Sequence, residues 1–180
     1  FKAKDSVYKP TREVAVSLQE QDSVYIHADT LRITGKPDQR VIKGFYEARF
    51  FKPGVTISER TSGLCDSIVV TQKIGLTEML GRPILWSGEN QITGDTIHLI
   101  QNLVREEMDS LKVFDNAFMI QKDLEGFNQV KGGILIGNFT ENKLDTVDII
   151  KNSQVIFYSR DENEDLVGIN HTVSSAIQLY

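Results

Sequence analysis

One short pattern returns along this chain at nearly regular intervals, and that recurrence limits the possible folds more than any other feature. Ala28-Asp29-Thr30-Leu31-Arg32-Ile33 matches Cys65-Asp66-Ser67-Ile68-Val69-Val70, which matches Gly94-Asp95-Thr96-Ile97-His98-Leu99. Weaker copies follow at Gly132-Gly133-Ile134-Leu135-Ile136-Gly137 and Ser174-Ser175-Ala176-Ile177-Gln178-Leu179. Successive copies start 37, 29, 38 and 42 residues apart. A second series is interleaved with the first: Glu47-Ala48-Arg49-Phe50, Arg82-Pro83-Ile84-Leu85, Asn116-Ala117-Phe118-Met119 and Asn152-Ser153-Gln154-Val155, spaced 35, 34 and 36 residues apart. Two series with one period describe a stack of like units, each burying its apolar face against the next.

The units are β. Runs such as Val24-Tyr25-Ile26, Ile68-Val69-Val70, Ile84-Leu85-Trp86, Ile97-His98-Leu99, Phe118-Met119-Ile120 and Val155-Ile156-Phe157-Tyr158 are rich in β-branched and aromatic residues, and Gly, Asn, Asp and Pro break them. Helical periodicity is confined to a possible turn at 102–110. The expected fold is therefore all-β: short antiparallel strands stacked into a splayed, twisted jelly roll or a β-solenoid-like repeat. We read residues 1–180 as a single repeat domain cut from a longer chain, with residues 1–20 as an N-terminal lead-in of uncertain order.

Within the first motif the inward phase slips. Apolar residues precede it at even positions (Val24, Ile26) and follow it at odd ones (Leu31, Ile33). A two-residue period slips only where a bulge or corner inserts a residue. Ala28, Cys65, Gly94, Gly132 and Ser174 are small enough for such a corner. An adjacent Asp or Ser satisfies backbone N–H groups that the bend leaves unpaired. Asp29, Asp66 and Asp95 thus recur with the architecture, whereas a general acid or base is needed once per site. Cys65 reads as a packed thiol. His98 falls at the outward position that Arg32 and Gln178 take in other copies, His27 alternates with Ile26, and His171 lies in an expected turn; their spacing fits no metal motif. We expect no catalytic residue, no metal and no cofactor. Asn138-Phe139-Thr140 and Asn170-His171-Thr172 match the glycosylation sequon, which is too short to weigh.

Charge narrows the partners. A net charge of −5 argues against sequence-independent binding of nucleic acid. Residues 1–60 hold 11 Lys and Arg against 8 Asp and Glu, while residues 61–180 hold 9 against 17. The single cysteine excludes an internal disulfide framework. What remains is an apolar face along the stack. Leu31, Ile33, Ile68, Ile84, Trp86, Ile97, Leu99, Phe118, Ile120 and Leu135 fill a core if the two halves close, or line a greasy trough if they splay. Periodicity leaves both open.

The segments Asp22–Leu31 and Leu80–Ile97, the latter with its Gly94-Asp95-Thr96-Ile97 turn and upstream Pro83, resemble the OstA-like (organic solvent tolerance) family. This is the repeat shared by the lipopolysaccharide-transport protein LptA and the N-terminal part of LptD, and the likeness is nearest to the OstA-like proteins of Bacteroides-type bacteria. The resemblance covers the chain from about Asp22 onward. It implies a periplasmic protein, free or associated with the outer membrane, whose groove carries the lipid A acyl chains of lipopolysaccharide. It also implies open strand edges that join neighbouring Lpt-type β-domains edge to edge. Two departures matter: the copies at Gly132 and Ser174 lack the Asp, and the negative charge offers little to lipid phosphates. A structural assembly module of an outer-membrane complex and a carbohydrate-binding β-solenoid are the rival readings.

Overall fold

A computed structural model describes residues 6–8, 14–17, 23–36, 40–52, 61–105, 107–140 and 143–180. The strands are β1 (Ser6–Tyr8), β2 (Val14–Ser17), β3 (Ser23–His27), β4 (Thr30–Thr34), β5 (Val41–Lys52), β6 (Thr61–Thr71), β7 (Leu76–Leu80), β8 (Ile84–Ser87), β9 (Asn90–Thr93), β10 (Thr96–Asn102), β11 (Glu107–Lys122), β12 (Phe127–Thr140), β13 (Lys143–Arg160) and β14 (Leu166–Leu179). Every pairing is antiparallel. Of the lead-in 1–20, only β1 and β2 lie within the described residues; they pair with β4 and β3.

The chain is all-β and jelly-roll-like. Two sheets share six long strands, β5, β6, β11, β12, β13 and β14, each contributing one half to either sheet. Sheet A runs β1-β4-β5-β6-β7-β10-β11-β12-β13-β14. Sheet B runs β2-β3-β5-β6-β8-β9-β11-β12-β13-β14. Because β6 and β11 enter both sheets, the pairings β6-β7-β10-β11-β9-β8-β6 close into a six-stranded antiparallel barrel at the centre.

Two expectations change here. Many of the short runs fuse into long bent strands, up to 18 residues in β13, because a bulge bends a ladder without ending it. True breaks occur at Gly81-Arg82-Pro83, where proline removes a ladder donor, and at Gly94-Asp95. The helical turn expected at 102–110 is also absent: β10 ends at Asn102, residues 103–105 turn and β11 starts at Glu107. The single helical turn among the described residues is a 3-10 turn, Gln72–Ile74.

The two kinds of corner differ. At the first-series corners one residue opposes two on a neighbouring strand: the registers jump from Phe45↔Ser67 to Ala48↔Cys65, from Phe114↔Ile134 to Ala117↔Gly132, and from Ile150↔Ala176 to Ser153↔Ser174. The second-series corners turn through left-handed pairs, Gly81-Arg82, Asp115-Asn116 and Lys151-Asn152, with φ between 52° and 80°. Asn and Asp tolerate that region better than other non-glycine residues; Arg82 and Lys151 are held there by the register on both sides.

Candidate functional site

The face that matters is the one between the sheets. In sheet A, strand pairing aligns Leu31, Ile68, Met79, Ile97, Val113, Leu135, Ile149 and Ile177 in one inward row. A second inward row, Ile33, Ile42, Val70, Leu99, Leu111, Val147 and Leu179, runs beside it. The interior members of both rows are buried, while Ile33, Ile177 and Leu179 at the ends are partly covered and pack against the core. The outward row between them carries Arg32, Glu78, His98, Lys112, Asp148 and Gln178. His98 thus shares a row with Arg32 and Gln178, its Nε2 3.4 Å from Glu78 Oε1 across the strand pair and its ring edge-on to Phe114.

Sheet B corrects four of the expected lining residues. Its inward positions are Gly63, Leu85, Ile92, Met119, Val130 and Val155, all buried and all in one register row. Ile84, Trp86, Phe118 and Ile120 alternate with these and stand on the opposite, outer face, half-buried among their strand neighbours. There Trp86 Nε1 donates to Gln91 Oε1 at 3.0 Å. The reason lies in the corners. A first-series corner shifts the inward phase by one, from Gly63 and Cys65 to Ile68 and Val70. The left-handed pairs insert two residues, so the phase is preserved from Leu111 and Val113 to Ala117 and Met119. Residue type signals this only in part, in Gly81 ahead of Ile84 and in Asp115-Asn116 ahead of Phe118.

The central barrel is filled. A Cβ added at Gly63 in sheet B would lie 2.6 Å from Met79 Cε, so the sulfur-bearing side chain from sheet A reaches the opposite backbone. The stack is different at β14. Among the described residues this 14-residue strand pairs only with β13, leaving its other edge open across both sheets. Ile177 and Leu179 face inward there beside Ile149 and Val147, and Phe157, two residues beyond inward Val155, is 50% exposed. Leu166, Val167, Ile169, Val173 and Tyr180 add exposed apolar surface along the same strand and its end.

Ala28, Cys65, Gly94 and Gly132 are buried, whereas Ser174 is exposed on the open strand. A Cβ added at Gly132 would lie 2.5 Å from Ile149 Cγ2. The corner aspartates work across the bend, not on their own turn. Asp95 N–H donates to the carbonyls of Phe114 and Asp115 at 3.2 and 3.0 Å, while its carboxylate accepts from Asn116 Nδ2 at 3.0 Å. The Asp66 carboxylate lies where a side chain at Gly81 would be. Burial pushes the Cys65 thiol up to about 12, so it stays protonated and is no nucleophile at neutral pH. His171, expected in a turn, lies within β14 opposite Ile156. Among the described residues no three His, Cys, Asp or Glu side chains converge as a metal site would require.

Comparison with family models and with curated proteins returns no match. The site therefore rests on its own geometry.

Its rim is pinned by an ion pair. Arg160, ending β13, clasps Asp123 in the β11–β12 hairpin, with Nε 3.1 Å from Oδ1 and Nη2 against Oδ2. The guanidinium holds the Asp123 carboxyl below the usual carboxylate range and is itself raised. Arg160 also donates to Glu164 O at 2.7 Å, and Asn128 Oδ1 accepts from Tyr158 N–H at 2.9 Å. The hairpin tips at 123–126 and 161–165 are thereby tied together beside the open strand.

Proposed function

We propose that this chain is a non-catalytic, lipid-carrying segment of a lipopolysaccharide-transport bridge of the OstA-like kind, acting in the periplasm toward the outer membrane. One observation carries the reading: the two inward apolar rows of sheet A continue without a charged residue to the open strand β14, where Ile177 and Leu179 remain partly uncovered. Acyl chains entering between the sheets at that end meet Val147, Ile149, Val155 and Phe157. About ten methylenes buried there contribute roughly 8 kcal/mol before ordering costs, with no polar contact required. The recurrence of Asp29, Asp66 and Asp95 at corners, and a thiol held protonated, support transport without chemistry. The open β14 edge suits a neighbouring Lpt-type β-domain, because an unpaired ladder of this length is otherwise blunted or covered.

A second reading has its own support. The filled barrel, with Met79 against Gly63, favours a structural assembly module in the middle of the stack. The experiment separates them by position. A photoreactive residue at Ile177 should crosslink lipid A, the same residue at outward Gln178 should not, and Ile177→Glu should stay folded and lose capture. Leu99→Glu, in the filled region and 5% exposed at the wild-type residue, should unfold the domain. Equal crosslinking at 177 and 178, or none at either, refutes the carrier reading and leaves the structural one.

A further inference from the structure

On the inward side of sheet B, one step past the buried row through Met119 and Val130 toward the hairpin tips, the lining changes character. Strand pairing aligns Ser87, Asn90, Gln121 and Asn128 in one inward row, and Phe157 with Asn170 continue it onto β13 and β14. The second inward row of sheet A holds Val70, Leu99, Leu111 and Val147 instead, all buried. One wall of the space between the sheets is therefore apolar at this depth, while the other is polar and carries no charged side chain from β8 to β14. Gln121, Phe157 and Asn170 are exposed, and Ser87, Asn90 and Asn128 are half-buried.

The amides of this row are oriented by their own bonds. Asn128 Oδ1 accepts from Tyr158 N–H at 2.9 Å, its Nδ2 donates to Gln121 Oε1 at 3.3 Å, and Thr172 Oγ1 donates to Asn170 Oδ1 at 2.8 Å. Gln121 Nε2 and Asn170 Nδ2 donate to no group among the described residues, and each amide oxygen keeps a second lone pair. A row that both donates and accepts suits hydroxyls, which do the same; phosphate oxygens only accept and would face the amide oxygens unpaired. The turns that close these strands, at 88–89, 123–126 and 161–165, add seven Asp and Glu to the rim. Of the nearby cations, Arg160 is clasped by Asp123 and Lys122 takes an outward position on β11. An anionic headgroup on this row would meet that field, and an uncharged one would not.

We infer that this row binds the uncharged sugar ring of a glycolipid headgroup, with the amides of Gln121 and Asn170 on its hydroxyls and Phe157 against its C–H face, while the acyl chains pass to the apolar wall of sheet A. A saccharide is hydroxylated around its edge and apolar on its faces, which matches a half-exposed aromatic ring flanked by amides. The inference rests on the carrier reading and adds selectivity to it: burial of acyl chains accepts any lipid, and the polar wall sorts lipids by headgroup.

The test offers the chain three lipids with the same acyl chains, each carried in phosphatidylcholine vesicles: diacylglycerol, its glucosyl derivative, and its phosphate, phosphatidic acid. Lipid recovered with the protein after the vesicles are sedimented measures capture. The glucosyl lipid should be captured about tenfold or more above diacylglycerol, and phosphatidic acid no better than diacylglycerol. Gln121→Met and Asn170→Leu should each lower capture of the glucosyl lipid about fivefold and leave that of diacylglycerol unchanged. Ile177→Glu, in the apolar row, should abolish capture of all three, and methyl glucoside, which has no acyl chain to bury, should not displace the bound glycolipid. Equal capture of the three lipids, preference for phosphatidic acid, or a Gln121→Met loss shared by diacylglycerol would overturn the inference and leave the carrier reading standing. Displacement by methyl glucoside would mark a free-sugar site and overturn the glycolipid assignment. Capture of none of the three overturns both.

Discussion

Gly94→Ala is the sharpest probe of the corner. Gly94 is buried, its φ is not in the left-handed region, and the site of an added Cβ is occupied by Val113 Cγ1, with Asp115 O 3.2 Å away. The cost is therefore steric and not conformational. Val113 is fully buried in the first inward row and has nowhere to move, so overpacking should destabilise by about 2 kcal/mol. For a domain of this length that is roughly 4–8 °C in melting temperature. Val113→Ala removes the colliding methyl and should cost about 2 kcal/mol on its own through lost burial and a cavity. The double variant should then be less destabilised than the sum, with a coupling of about 1–2 kcal/mol. Gly168→Ala is the control, because nothing lies within 4 Å of its added Cβ and its φ is ordinary; it should be neutral or slightly stabilising. Urea unfolding of the four variants measures all of this. A Gly94→Ala protein as stable as Gly168→Ala, or a double variant additive within about 0.5 kcal/mol, would refute the corner argument.

Cys65 should resist a disulfide-exchange reagent at mildly alkaline pH until the domain unfolds, and rapid labelling of native protein would contradict its burial. Its raised thiol also links stability to pH: the contribution is intact below the ordinary thiol range and is lost as pH climbs from there toward about 12. Cys65→Ala should therefore flatten the alkaline limb of a melting-temperature profile. Asp123 has the opposite sign. Its carboxyl is held low by Arg160, so its contribution is present at neutral pH and is lost on acidification below the ordinary carboxylate range. Asp123→Asn should shrink the acid-induced fall in melting temperature and loosen hydrogen-exchange protection at 161–165; an unchanged acid limb would show the pair to be incidental.

Some of this protein is fixed by local chemistry and was legible in the letters. A small residue, often followed by Asp, ahead of an alternating apolar run dictates a bulge and a phase slip wherever it occurs. The inward row through Leu31, Ile68, Ile97, Leu135 and Ile177 follows directly from five copies of that pattern. His98 at an outward position follows from the same alternation. The outer placement of Ile84, Trp86, Phe118 and Ile120 did not follow, because their phase depends on whether the intervening corner inserts one residue or two. That count is set by left-handed pairs such as Asp115-Asn116 and Lys151-Asn152, whose backbone conformation is weakly encoded by residue type and is enforced by the strands on either side.

Whether an apolar row is core or groove is decided at a still larger scale. The same alternating letters give a filled barrel where β6 and β11 each join both sheets, and a partly uncovered face where β14, among the described residues, pairs on one side only. Met79 reaches Gly63 because ring closure brings two residues 16 apart in sequence to opposite walls of one cavity. The Arg160–Asp123 clasp, 37 residues apart, exists because β12 lies between β11 and β13 and sets both hairpin tips at one rim. Periodicity records which face a residue takes within its strand. How much of that face is covered depends on how many strands the sheets bring together above it, and only the tertiary structure holds that information.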